Sequence, residues 1–228
     1  MGFFDFLRSA PTMGQHRVQC ASPTGLHHMA YTAWGDADNP RVLICVHGLT
    51  RCGRDFDFLA GQLSRDYRVI CPDVVGRGKS DWLRDKNGYG VPQYVADMVT
   101  LIARLNVERV DWLGTSMGGL IGMALAAQPG NPIRRLVLND VGPLVTAVSL
   151  RRIGEYVGAD PRFPDLAAAV AYVRQVSASF GPLTEAQWQY LTEVVIKPSA
   201  QGGYQFSYDP GIGQAFKAVP IVQDLSLI

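Results

Sequence analysis

The chain is predicted to be an α/β protein, a doubly wound and mostly parallel sheet that carries a helical insertion. Three observations predict it. Short β-branched apolar runs alternate with helical periodicities from residue 41 onward, one run flows directly into a glycine-flanked serine and a helix, and the strand pattern stops after residue 143. The 228 residues are 47 % hydrophobic and 10 % aromatic, enough apolar surface to offset the ordering entropy of a sizeable core and to exclude a disordered chain. With 21 basic against 20 acidic residues the net charge is +1, which offers no footing for nucleic acid or an acidic membrane surface.

The elements follow in order. Arg17 to Cys20 and His28 to Trp34 read as an antiparallel hairpin added at the sheet edge. Arg41 to His47 (RVLICVH), bounded by Asn39-Pro40 and Gly48, is too short for a helix and apolar on both faces, so it reads as a buried parallel strand. Tyr67 to Cys71, Val110 to Leu113 and Arg135 to Asn139 supply three more central strands. Gln93 to Leu105 sets Val95, Met98, Leu101, Ile102 and Leu105 at three- and four-residue steps, a helix that buries this stripe and leaves Asp97 and Arg104 to solvent. After Gly142-Pro143, Leu144 to Lys197 carries helix patterns without an intervening strand. Gly181-Pro182 interrupts them, and Thr184 with Gln187 forms a capping box that starts a new helix. Gln201-Gly202-Gly203 closes the insertion. The division is therefore a core over 1–143 with its first six strands, a helical insertion over 144–203, and a return toward the core over 204–228 that stops before the last strands.

Cys20, Cys45, Cys52 and Cys71 form no CxxC pair and have no histidine at zinc-ligand spacing, so no metal site is expected. Cys45 and Cys71 lie in apolar runs as reduced thiols, which suits a reducing compartment. The apolar start has no basic leader, Phe6 stands where a myristoylation signal needs Ser or Thr, and no stretch is long and apolar enough to span a membrane. A cytoplasmic protein is the expectation.

The chemistry sits at Gly114-Thr115-Ser116-Met117-Gly118-Gly119, directly after the strand VDWL and before the helix pattern LIGMALAA. Strand, G-x-S-x-G and helix in that order describe a turn so tight that side chains at 114 and 118 would collide, with the serine in a strained conformation and its hydroxyl raised above the strand end. Ser116 is thus the candidate nucleophile. The competing readings are a serine that merely caps the helix and a phosphate loop, the latter lacking both G-x-G-x-x-G and G-K-[ST]. A second loop, His47-Gly48-Leu49-Thr50-Arg51, follows the first central strand. The backbone N–H groups of Leu49 and Met117 are placed to hold a developing oxyanion. His47 belongs to that loop and reads as a structural hydrogen-bonding residue, and Arg51 as a solvated loop arginine or a contact for an acidic substrate.

HGLTR at 47–51, PDVVGRGKSD at 72–81, GTSMGG at 114–119 and LVLNDVGP at 136–143 resemble the α/β-hydrolase superfamily in order and spacing, and YDPGIG at 208–213 is similar to the segment that follows the helical cap in its ester, lactone and carbon–carbon bond hydrolases. The resemblance covers essentially the whole chain. It implies a serine hydrolase of the esterase type with a cap domain and no cofactor. Ser116 in place of Asp argues against haloalkane dehalogenases and epoxide hydrolases.

That family pattern places an acid and a histidine downstream of the cap, and no histidine follows residue 47. His16, His27 and His28 fall in the hairpin region and are expected at the surface. Asp140 is an alternative acid or a turn-capping residue before Gly142-Pro143. The expectation is a carboxy-terminal truncation of a longer hydrolase, with a shortened inactive homologue as its competitor. The substrate is a small, largely apolar molecule with an ester, lactone or related carbonyl bond. Tyr156, Phe180, Trp188 and Tyr190 are candidates for the pocket wall or for the cap's own core. A non-catalytic binding protein and a cofactor-free lyase or oxygenase on the same scaffold are the other classes.

Overall fold

The computed structural model describes residues 13–218 and 223–224. The reading of the amino-terminal leader and of most of the last ten residues falls outside the described residues. β1 (Met13–Ser22) and β2 (Gly25–Trp34) form the hairpin, with Met13 opposite Trp34 and Ser22 opposite Gly25. There follow β3 (Val42–Val46), α1 (Asp57–Leu63), β4 (Arg68–Pro72), α2 (Val91–Leu105), β5 (Val110–Thr115), α3 (Met117–Ala126) and β6 (Ile133–Asn139). The six strands stand in the order β1-β2-β4-β3-β5-β6, antiparallel from β1 to β4 and parallel from β4 to β6.

Both faces of this sheet are covered because successive side chains of each strand point to opposite sides. Val42, Ile44 and Val46 of β3 pack with Trp112 beneath Met98 and Leu101 of α2 and Ile121 and Leu125 of α3. The alternate residues Leu43 and Cys45 meet Val69, Cys71, Phe56 and Ala60 on the α1 side. All four cysteines are free and buried. Among the described residues no helix is long and apolar enough to cross a membrane.

Among the described residues β6 stands at the edge of the sheet, and Val137 and Leu138 are 52 % and 36 % exposed. One assignment changes. Asp97 is fully buried instead of solvated. It accepts hydrogen bonds from His27 Nε2 (3.1 Å) and Gln93 Nε2 (2.8 Å), a polar partnership that the apolar periodicity of α2 does not register.

The insertion also differs from its expectation of helices alone. It contains β7 (Leu144–Val145), α4 (Ala147–Gly154), β8 (Arg162–Phe163), α5 (Leu166–Val176), α6 (Glu185–Glu193), β9 (Ile196–Pro198) and β10 (Tyr204–Phe206), followed by α7 (Ile212–Ala218) and β11 (Gln223–Asp224). β10 lies between β8 and β9 in a small antiparallel sheet, and β7 pairs with β11. Strands of two or three residues are too short to show a period of two. Gly202 and Gly203, at φ 94° and 66°, turn β9 into β10, so the sheet continues past residue 203. The capping box is present: Thr184 Oγ1 accepts from the Gln187 N–H, and the Thr184 N–H donates to Gln187 Oε1.

The close seating of α3 positions the site. A Cβ on Gly118 would collide with the Val46 carbonyl, and one on Gly114 with the Gly118 carbonyl. Gly118→Ala is therefore expected to lower stability by about 2–3 kcal/mol, read as a lower denaturant midpoint at unchanged m.

Candidate active site

Because α3 touches β3 and β5 through backbone, the chain must reverse within one residue, and Ser116 takes φ 50°, ψ −114°. Its side chain makes no capping hydrogen bond, which removes the reading of a serine that merely caps the helix. The Ser116 N–H donates to the Asn139 carbonyl (2.9 Å), and its own carbonyl accepts from the N–H groups of Gly119 (2.8 Å) and Leu120 (3.1 Å). The backbone is thus held while the half-buried hydroxyl stays free.

The 47–51 loop lies against this turn. A Cβ on Gly48 would stand 3.8 Å from Ser116 Cβ. Among the described residues neither the Leu49 nor the Met117 N–H has a hydrogen-bond partner. Two open donors therefore lie on the two backbone segments that meet at Ser116, as an oxyanion would need.

His47 is fully buried and committed on both nitrogens. Nε2 accepts from the Val74 N–H (3.0 Å), so the proton sits on Nδ1 and donates to the Gly48 carbonyl (2.7 Å). That carbonyl belongs to the same peptide group as the Leu49 N–H, so fixing one end aims the other. Burial pushes the imidazole pKa down to about 3, against the pull of the Gly48 carbonyl and with help from Arg77 and Arg51. His47 is a neutral structural residue, not a base.

Asp73 secures the loops from beneath. Its carboxylate accepts from the Gly53 and Lys79 N–H groups, each at 2.8 Å, while burial raises its pKa against these donors. Arg51 is neither solvated nor free to meet a substrate. It forks onto Asp55 (2.8 and 2.6 Å) and donates to the Leu191 carbonyl at the end of α6 (2.9 Å). Trp188 is buried in the insertion, with Arg174 over its ring at 5.7 Å, so it belongs to the core of that part. Tyr190 donates to Asp57 (2.5 Å), and Phe180 is exposed. Tyr156 is half-buried beyond α4, where burial raises its hydroxyl pKa, Arg152 opposes the shift and the Asp140 carboxylate adds to it. Asp140 is exposed at the end of β6 with φ 56°. Of the aromatic pocket candidates, Tyr156 is the one that feels Asp140, the residue after the Asn139 whose carbonyl holds the Ser116 N–H.

None of the four histidines supplies a base for Ser116. His16 stacks on Tyr31, His28 bonds Asp81, and His27, expected at the surface, is buried against Asp97. Cys20, His27 and Asp97 bring their ligand atoms within 4.8 Å of one another, a grouping that could accept a metal ion. Here His27 Nε2 and the Asp97 carboxylate share a hydrogen bond while His27 Nδ1 is buried without a partner among the described residues, and the Cys20 thiol, pushed up to about 12 by burial and then by Asp97, stays protonated. A cleft of about 730 Å³ opens between the hairpin, the 73–79 loop and β9, lined by Arg17, Cys52, Asp73, Lys79 and Lys197 and not by Ser116. Arg77, which sequence reading passed over within its motif, reaches both Leu49 and Met117.

A mostly parallel sheet covered on both faces, a serine at positive φ between strand and helix, and two open amides on the adjoining segments together describe the core of an alpha/beta hydrolase. Residues 41–189 match the family model for the alpha/beta hydrolase fold, and the chain belongs to that family. It is 56 % identical over 215 residues to a 3-hydroxybutyrate-oligomer hydrolase of Cupriavidus necator, covering 92 % of this chain and 72 % of that protein. It is 30 % identical over 189 residues to a 2-hydroxy-6-oxo-2,4-heptadienoate hydrolase of Pseudomonas putida, covering 80 % of this chain and 60 % of that one. The crystal structure of an alpha/beta hydrolase from Novosphingobium aromaticivorans superposes with a TM-score of 0.81 at 34 % identity, over 96 % of this chain and 77 % of that one.

The His47 geometry sets a pH dependence. The unfolded chain takes up a proton near pH 6.5, the folded chain only near 3, so this stabilisation is complete above 6.5 and is lost as pH falls between the two values. His47→Gln is expected to cost about 1–3 kcal/mol at pH 7 and to flatten that acid slope, measured by urea unfolding from pH 7 to 4.

Proposed function

We propose that the protein is a serine ester hydrolase acting on short oligomers of 3-hydroxybutyrate or closely related hydroxyacids. The observation that carries this reading is Ser116 at φ 50° with an unbonded hydroxyl beside two unpartnered amides. The 56 % identity to the oligomer hydrolase supplies the substrate class. In the reaction Ser116 Oγ attacks the ester carbonyl carbon and its proton passes to a general base that none of the four histidines provides. The carbonyl oxygen gathers negative charge and is held by the Leu49 and Met117 N–H groups. The ester C–O bond then breaks, and the alcohol end leaves with a proton. Water attacks the acyl group on Ser116, releasing the acid and restoring the serine.

Residues 144–203 form the cap in this reading and Tyr156 lines the substrate pocket, while Asp140 is the alternative acid. No metal or cofactor takes part.

The test is intact mass spectrometry of the full chain, as its gene encodes it, before and after a fluorophosphonate, with chromatography of 3-hydroxybutyrate trimer digests. A single adduct that maps to Ser116 and disappears in Ser116→Ala, together with at least a thousandfold loss of trimer cleavage in that variant, is expected. Ester turnover that survives in Ser116→Ala overturns the mechanism. A full chain that stays unlabelled and binds the trimer without cleaving it would be a binding protein.

A further inference from the structure

Arg77 is a buried cation that the active-site reading leaves without a role. It is fully buried, and no carboxylate pairs with it among the described residues. A guanidinium cannot shed its charge as His47 does, so a buried, unpaired one is costly to retain for stability alone. Its contacts indicate what it serves. Nε donates to the Leu49 carbonyl (2.8 Å), Nη1 to the Val75 carbonyl (2.8 Å) and the Tyr94 hydroxyl (2.9 Å), and Nη2 to Met117 Sδ (3.4 Å). The faces of Tyr94 and Tyr89 lie 4.9 and 5.8 Å from its central carbon. Gly76 and Gly78 flank it at φ 85° and 53°, which lets the loop turn this side chain inward.

Both residues that carry the open amides are therefore in contact with one cation. We propose that Arg77 is the positioning residue of the oxyanion hole: it fixes the Leu49 carbonyl from behind and sets an uncompensated positive charge beneath the two amides that receive the carbonyl oxygen. His47 holds the Gly48 carbonyl and Arg77 the next one, so the peptide groups on both sides of the Leu49 Cα are clamped without secondary structure. The charge favours the oxyanion over the neutral ester because it lies in a site closed to water, where little screening weakens it. Tyr89 and Tyr94 offer ring faces to a cation that has no carboxylate, leaving its charge unneutralised.

This inference rests on Ser116 being the nucleophile, and the experiment separates the two. Fluorophosphonate labelling of the wild-type full chain tests Ser116 first; its absence overturns both readings. Given labelling, Arg77→Lys, Arg77→Met and Tyr94→Phe are compared by thermal unfolding and by kcat and KM on a p-nitrophenyl ester. Arg77→Met is expected to lose about a hundredfold in kcat with KM within about twofold, and Arg77→Lys to recover part of that loss because the charge remains. Should Arg77→Met fail to fold, Arg77→Lys and Tyr94→Phe carry the test, with expected losses in kcat of about tenfold and about threefold at unchanged KM. A folded Arg77→Lys and Tyr94→Phe that keep kcat within a factor of about 1.5, or that lose activity only through KM, overturn the proposal while leaving Ser116 in place.

Discussion

The seating of α3 on the sheet is the constraint from which the rest of the site follows. Side chains are absent where the helix meets β3 and β5, so its backbone approaches theirs as closely as atoms allow, and Trp112 Nε1 donates to the Gly118 carbonyl across the contact (3.0 Å). A helix that close leaves no length for a loop. The strand must turn into it at a single residue, and Ser116 absorbs the turn at positive φ. The same geometry prevents the serine from capping α3, and it leaves the Met117 N–H, at the positive end of the helix, without a partner among the described residues. Strain, free hydroxyl and open donor are three results of one packing contact.

Around that contact the protein meets burial of ionisable groups in two ways. His47 gives up its charge, because desolvation outweighs the hydrogen bond to Gly48 and the neighbouring arginines oppose a second cation. Arg77 keeps its charge and is accommodated by carbonyl oxygens, a hydroxyl and ring faces. Together they fix two consecutive carbonyls of a loop with no regular structure. Asp73 extends the same device by accepting N–H groups from the loops after β3 and β4. Rigidity here comes from side chains that satisfy backbone groups.

What could be read from the sequence depended on the range of the interaction responsible. The four parallel strands, α2, the hairpin and the glycine-flanked serine are written in local pattern, as is the capping box at Thr184. Partners distant in sequence were not legible. Asp97 looked solvent-facing because the histidine that buries it lies 70 residues away, and Arg51 looked solvated because its acceptor at Leu191 lies 140 residues away. The small sheet of the insertion was missed for a different reason, since its strands are shorter than the period needed to detect them. For Arg77 only one signal was available, an arginine between two glycines in a loop that must turn inward.

The insertion and the loop that carries Leu49 are mechanically one piece. Arg51 donates to the Leu191 carbonyl, Cys52 Sγ to the Val194 carbonyl (3.2 Å), and the Tyr190 hydroxyl reaches both Asp57 and the Arg54 carbonyl (3.2 Å). All three contacts link the segment 51–57 to α6 and its carboxyl end. The return segment is tied as firmly on the other side, where the Asp209 carboxylate accepts from Lys86 and Tyr89 and its N–H donates to the Gly76 carbonyl beside Arg77 (2.8 Å). A displacement of α6 would have to break the first set, and a displacement of the segment after β10 the second. The residues that shape the Leu49 peptide therefore lie between one anchor from the insertion and one from the return segment.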